Sequence, residues 1–186
     1  MSNVDELVGL GRPAPEDPST ARTAYRRPQS PDLVGDVIVE GALTDDERLW
    51  VPQSQWVSFR PLLFGVSHGY YVNLLRVRRA GVLSRHRHSG PVHAWVIKGS
   101  WHYLEHDWVA SEGTYAFEAP AETHTLVVPD DVEEMITMFH VTGGLVYVDP
   151  DGSPTGYEDA HTKLTMARAH YEAVGLGASF ADQFVR

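Results

Sequence analysis

The chain has 186 residues, 42% hydrophobic and 22% charged, the profile of an ordinary globular protein with one substantial core. It contains no cysteine, which excludes disulfides and thiolate metal sites, so any metal must be held by nitrogen and oxygen. A formal charge of −10 argues against nucleic acid and against anionic membrane surfaces, and favours a small, weakly charged ligand.

Residues 1–31 hold five of the twelve prolines and predict an extended arm, ordered at most in part or on a neighbouring subunit. The opening "MSNVDELVGLGRPAPEDPST" lacks the basic start and apolar run of a signal peptide, and no later stretch approaches ~18 consecutive apolar residues. A cytoplasmic protein is expected. Residues 32–186 form the predicted main domain. Its strand-like runs begin with "GDVIVEG", "WVSFRPLLFG" and "YYVNLLRVRRAG". "VHAWVIKGSWHYLEH" reads as a hairpin turning at Lys98-Gly99, and "TYAFEAP", "THTLVVP", "EMITMFHV" and "LVYVDP" follow at short intervals. Many short strands punctuated by Gly, Pro and Asp predict an all-β sandwich or barrel. From about 157 to 184 the period changes. Leu164, Ala167, Tyr171 and Val174 recur at helical spacing and Gly175 supplies a stop, so a C-terminal helical segment is expected to pack on the barrel, with no chemistry assigned to it.

Seven of the ten histidines fall between residues 86 and 140. In "SRHRHSG", His86 and His88 are two apart, so on a strand both imidazoles share one face. That pair packs a core poorly and suits a metal; His124, at the start of a later strand, completes a tripod. Three neutral imidazoles, with or without a carboxylate, suit Zn, Fe(II), Ni, Cu or Mn.

The stretch "GVLSRHRHSGPVHAWVIKG" followed by "GTYAFEAPAETH" resembles the two signature motifs of the cupin superfamily. His86, His88 and Gly99 fit the first motif, and Gly113 and His124 the second. Gly81 lies one residue nearer the pair than the motif has it. Ala119 and Ala121 stand where proline and glycine are usual, and Val128 replaces an asparagine. The resemblance implies a double-stranded β-helix, or jelly-roll barrel, with a metal in its mouth. The motif glutamate is missing: its position is Val92. If Lys98-Gly99 is a two-residue turn, position 92 pairs with 105, and Glu105 reaches the face of the missing carboxylate beside Val92, Ala94, Val96, Trp101 and Tyr103. A one-residue slip would instead turn His93 inward. His102, His106 and His140 are expected on strand faces. Tyr103, Val96, Trp101, Leu126 and Trp95 are expected to wall an apolar, aromatic pocket.

"HRHSGPVHAWVIKGSWHYLEHDWVASEG", "ETHTLVVPDDVEEMITMF" and "AHYEAVGLGASFADQFVR" resemble, more specifically, the 2,4'-dihydroxyacetophenone dioxygenase family. That resemblance implies a mononuclear non-haem Fe(II) on His86, His88 and His124, completed by Glu105. Zn or Ni is expected in some purified samples. It further implies a small aromatic ketone and O2 as partners, with cleavage to 4-hydroxybenzoate and formate. Tyr103 and Glu105 are the expected catalytic side chains. A homodimer or homotetramer is anticipated, and an iron cupin acting on another diketone or hydroxyketone, or a Zn-binding sensor cupin, stands as the alternative.

Overall fold

The computed structural model describes residues 23–186. The chain divides into two units, Met1–Gly35 and Asp36–Arg186. The expected arm over 1–31 lies mostly outside the described residues. Of the first unit, residues 23–35 carry one turn, in which the Leu33 N–H donates to the Ser30 carbonyl.

The second unit is built from antiparallel strands. In chain order these are β1 (Val51–Pro52), β2 (Val57–Gly65), β3 (Tyr70–Val77), β4 (Gly81–His88), β5 (Val92–Lys98) and β6 (Ser100–Tyr103), then β7 (Ala110–Ser111), β8 (Tyr115–Glu118), β9 (Thr123–Val128), β10 (Met135–Thr142), β11 (Leu145–Val148) and β12 (Pro154–Glu158). Among the described residues they form two six-stranded sheets, β1-β2-β3-β10-β5-β8 and β12-β11-β4-β9-β6-β7. The all-β barrel expected from the turn spacing is therefore present. Strand alternation sets its interior: Phe59, Tyr71, Val92, Ala94, Val96, Trp101, Tyr103, Leu126, Phe139 and Val141 are buried together in one core.

Three expectations are corrected. "GDVIVEG" forms no strand; Ile38 is exposed and has no strand ladder among the described residues. β-branched residues favour a strand only where a pairing partner stabilises it. β12 does form, through "PTGYE", although its proline and glycine are poor strand formers; β11 supplies its ladder. The third correction bears on the site. Lys98-Gly99 is not a hairpin turn. β5 pairs with β10 and β8, while β6 pairs with β9 and β7, so the chain crosses here from one sheet to the other. Gly99 makes the crossing at φ +71, packed so closely on the Glu134 carbonyl that a Cβ would lie 2.6 Å from it. Val92, Ala94, Val96, Trp101 and Tyr103 still share the interior, because both sheets turn the same phase of their strands inward.

The helical segment is α1 (Ala160–Ala173), followed by a 3-10 stretch, Ala178–Phe184. Asp159 caps α1 by accepting from the Thr162 N–H, while the Thr162 hydroxyl oxygen accepts from the Asp159 N–H, a capping box. Leu164, Ala167 and Tyr171 face the core as their spacing predicts. Gly175, at φ +79, ends the helix, and its N–H donates to the Glu172 carbonyl. Among the described residues no helix is long and apolar enough to cross a membrane.

Two backbone substitutions should have opposite signs. Gly99→Ala forces a side chain into the Glu134 backbone at positive φ and is expected to destabilise by roughly 2 kcal/mol or more. Ala121 is the one non-glycine at positive φ among the described residues, at 74°. It occupies the place where the cupin pattern has glycine, so Ala121→Gly relieves the strain, less the entropy glycine brings to the unfolded chain. A net gain of roughly 0.5 kcal/mol is expected. Urea denaturation midpoints check both.

Candidate metal centre

β4 and β9 lie side by side with His86 directly opposite His124. Cross-strand partners share a face, and His88, two residues on, joins them. The sheet thereby gathers three imidazoles whose ligand atoms all lie within 4.8 Å of one another, and all three residues are buried. The spacing read from the sequence is thus the spacing the ladder delivers.

The carboxylate comes from elsewhere. Glu105 is exposed, and both of its oxygens are taken by Thr125: Oε2 accepts from the backbone N–H at 2.7 Å, Oε1 from the hydroxyl at 2.8 Å. Its expected approach to the histidines depended on the hairpin that does not form. The buried carboxylate is Glu118, whose Oε2 lies 3.3 Å from His88 Nε2 and 3.8 Å from His124 Nε2. Glu118 is the β8 residue opposite Val92 of β5. The carboxylate missing at Val92 is therefore replaced from across the ladder, by the strand that pairs with β5. The sequence carried a trace of this. In "YAFE", Tyr115 and Phe117 face outward, which puts Ala116 and Glu118 in the inward phase, and a carboxylate on that face is unusual.

These groups fit a cation. His86 Nε2 lies 3.1 Å from His88 Nε2. Two ligands about 2.1 Å from one ion at a right angle are about 3 Å apart. Both Glu118 oxygens, both His124 ring nitrogens and His88 Nδ1 are buried without a hydrogen-bond partner. So many unpaired polar atoms in one nest cost several kcal/mol unless a cation satisfies them. Burial first, then the neighbouring imidazoles, lowers His86 well below its ordinary range. His124 is lowered to about 4, chiefly by burial, with Glu118 opposing. Both rings are neutral ligands near pH 7. His86 Nδ1 contacts the Ser84 hydroxyl at 3.0 Å; with Nδ1–H donating, Nε2 presents its lone pair to the nest.

Tyr103 stacks flat on His124, with centroids 3.8 Å apart and planes 6° apart. Its phenol is pushed well above its ordinary value, by burial and then by the Glu118 carboxylate, so it stays protonated. His93 points outward, with Nδ1 2.7 Å from the Tyr115 hydroxyl, and Trp95 is exposed; neither lines the interior. His86, His88 and Tyr103 open onto a cavity of about 610 Å³, walled by Leu83, Leu126 and Phe139 among others.

A double-sheet β barrel with three histidines and a glutamate converging inside it is the architecture of a cupin. The chain belongs to the ChrR cupin-like domain family, which matches residues 40–146. Among solved structures it is similar to an RmlC-like cupin protein from Ralstonia eutropha, at 29% identity and TM-score 0.63, over 67% of this chain and 82% of that one. An acetylacetone dioxygenase from Acinetobacter johnsonii superposes at TM-score 0.64 and 16% identity, over 80% of this chain and 99% of that one. A putative acetylacetone dioxygenase from Methylibium petroleiphilum does so at TM-score 0.54 and 21% identity, over 68% and 93%. No curated protein matches the chain.

Metal content of the purified variants separates the two glutamates. His124→Ala and Glu118→Ala are expected to lower affinity for a divalent metal by more than about 100-fold, Ser84→Ala by about tenfold, and Glu105→Gln by less than about twofold. Competition with a chromophoric chelator reads each. In the metal-stripped protein, His86 and His124 bind protons less readily folded than unfolded. Stability should therefore be full above pH 6.5 and fall as the pH drops toward 4, seen as a declining urea midpoint.

Proposed function

We propose that the protein is a non-haem iron dioxygenase that cleaves the C–C bond of an aromatic α-hydroxyketone, converting 2,4'-dihydroxyacetophenone and O2 to 4-hydroxybenzoate and formate. The observation that carries this reading is the buried set of three imidazoles and one carboxylate beside a cavity with aliphatic and aromatic walls. The resemblance of "HRHSGPVHAWVIKGSWHYLEHDWVASEG" to the 2,4'-dihydroxyacetophenone dioxygenase family supports it. So does the fold shared with an acetylacetone dioxygenase.

His86, His88, His124 and Glu118 would hold the ion. Ferrous iron bound there supplies Lewis acidity toward a chelating ketone and an electron source for O2. A single carboxylate among three imidazoles leaves the nest short of negative charge, which favours an ionised hydroxyketone. The aliphatic and aromatic walls exclude water, and so strengthen each electrostatic contact inside. Tyr103, kept protonated, is placed to donate its phenol hydrogen to a ligand oxygen and is unsuited to act as a base. Its ring, flat against His124, fixes that imidazole's plane. Thr125, clamped by Glu105, holds the start of β9 and with it His124. Glu105 is thus a positioning residue.

The test loads the protein with Fe(II) without oxygen, adds 2,4'-dihydroxyacetophenone, then admits air. Oxygen uptake with equimolar 4-hydroxybenzoate and formate is expected, reduced at least about 100-fold in His124→Ala and retained within about threefold in Glu105→Gln. Tyr103→Phe should lower the rate by about 10- to 100-fold with the metal still bound. No uptake with iron demonstrably bound rejects the named substrate, and uptake on acetylacetone instead would move the reading to a β-diketone.

A further inference from the structure

The same cavity has a second polar end. α1 turns Lys163 into it, 2% exposed, and β12 turns Glu158 into it, 7% exposed. The Lys163 ammonium donates to Glu158 Oε1 at 2.8 Å and to Gln53 Oε1 at 3.2 Å, and sits 4.0 Å over the Phe59 ring. Two of its three hydrogens thus go to these oxygens. Glu158 is saturated. Besides Lys163 it accepts from Gln53 Nε2 at 2.5 Å, from the Tyr71 hydroxyl at 3.2 Å and from the Tyr147 hydroxyl at 3.3 Å. The helix given no chemistry from its sequence thus contributes a buried charge to the cavity wall.

What this network leaves over is one-sided. Tyr71 and Tyr147 spend their only protons on Glu158, so each phenol oxygen faces the cavity with lone pairs alone. Burial, followed by Glu158, raises both phenols, so those protons stay in place. Asn73, two residues from Tyr71 on the same face of β3, is 3% exposed, and its Oδ1 has no partner. The charges cancel within the Lys163–Glu158 pair. The unsatisfied buried atom on this wall is the acceptor Asn73 Oδ1. Tyr147 also sets the distance. It lies opposite His86 on the β4–β11 ladder, its ring centroid 6.4 Å from the imidazole, while its hydroxyl reaches Glu158. A phenyl-sized group beside it joins the histidines at one end to the acceptors at the other.

We propose that Asn73, Tyr71 and Tyr147 form a subsite that reads a hydroxyl donor at the far end of an aromatic ketone and rejects an anion there. This rests on the functional reading above, in that the ketone end lies at the histidines. A neutral phenol fills the acceptor wall. A ring with hydrogen in that place leaves Asn73 Oδ1 unsatisfied, and a carboxylate there sets its lone pairs against that oxygen and against the nearby Glu158 charge, a mismatch that polar sites penalise strongly.

The experiment measures binding without turnover. Purified protein with its resident metal is titrated under argon with 4'-hydroxyacetophenone, acetophenone and 4-acetylbenzoate, followed by tryptophan fluorescence and calorimetry. The hydroxyl compound is expected to bind about tenfold more tightly than acetophenone, and 4-acetylbenzoate most weakly. Tyr147→Phe and Asn73→Leu should each cut the preference to about threefold and together abolish it, with acetophenone affinity held. Retained acetophenone binding reports an intact cavity, and Asn73→Leu tests the wall without touching the Glu158 network. Equal affinities in the wild type, tightest binding of the carboxylate, an undiminished preference in the double variant, or no ketone binding would each overturn the subsite. A failed oxygen-uptake assay leaves this series readable, and a failed series leaves the uptake assay standing.

Discussion

The pairing of β4 with β9 sets His86 across from His124, and most of the site follows from that register. A slip of one residue would turn His86 and His88 outward together, since alternate residues face opposite sides of a sheet. With the register held, three imidazoles are pressed into one buried nest, where neither His124 nitrogen nor His88 Nδ1 has a hydrogen-bond partner. Burial then keeps His86 and His124 neutral, which suits ligands. The same burial makes the nest unfavourable without a cation.

The opposite sheet completes this arrangement. β8 brings Glu118 to the nest through its pairing with β5, so the four side chains that converge there come from two sheets and three strands. The short loop from β8 to β9 carries the chain from Glu118 to His124. Ala121 lies in that loop at positive φ, and its N–H donates to the carbonyl of His88. The strained residue is thereby tied by its own backbone to the strand that carries the other two histidines.

Charge inside the barrel is arranged in two closed accounts. At one end a lone carboxylate faces neutral rings and invites a cation. At the other, Lys163 and Glu158 neutralise each other, and Glu158 draws in the hydroxyl hydrogens of Tyr71 and Tyr147. Between the two ends the lining is aliphatic and aromatic, so a ligand is oriented by its polar termini and held by its middle.

The sequence by itself determined the tripod. His86 and His88 two apart, with His124 at the start of a later strand, needed only strand periodicity to be read, and glycine and proline punctuation was enough for the barrel. The helix was equally legible, because Leu164, Ala167 and Tyr171 repeat at its period. The carboxylate was decided by tertiary structure alone. The rule that cross-strand partners share a face was sound, but it was applied to β6, and β5 in fact pairs with β8; hydrogen-bonded partners are chosen by the whole sheet, not by the nearest glycine. That moved the ligand from Glu105 to Glu118. Lys163, Glu158, Gln53, Tyr71 and Tyr147 are likewise far apart in sequence, and no local period links them. Their meeting depends on how α1 and β12 return across the barrel mouth, which only long-range packing sets.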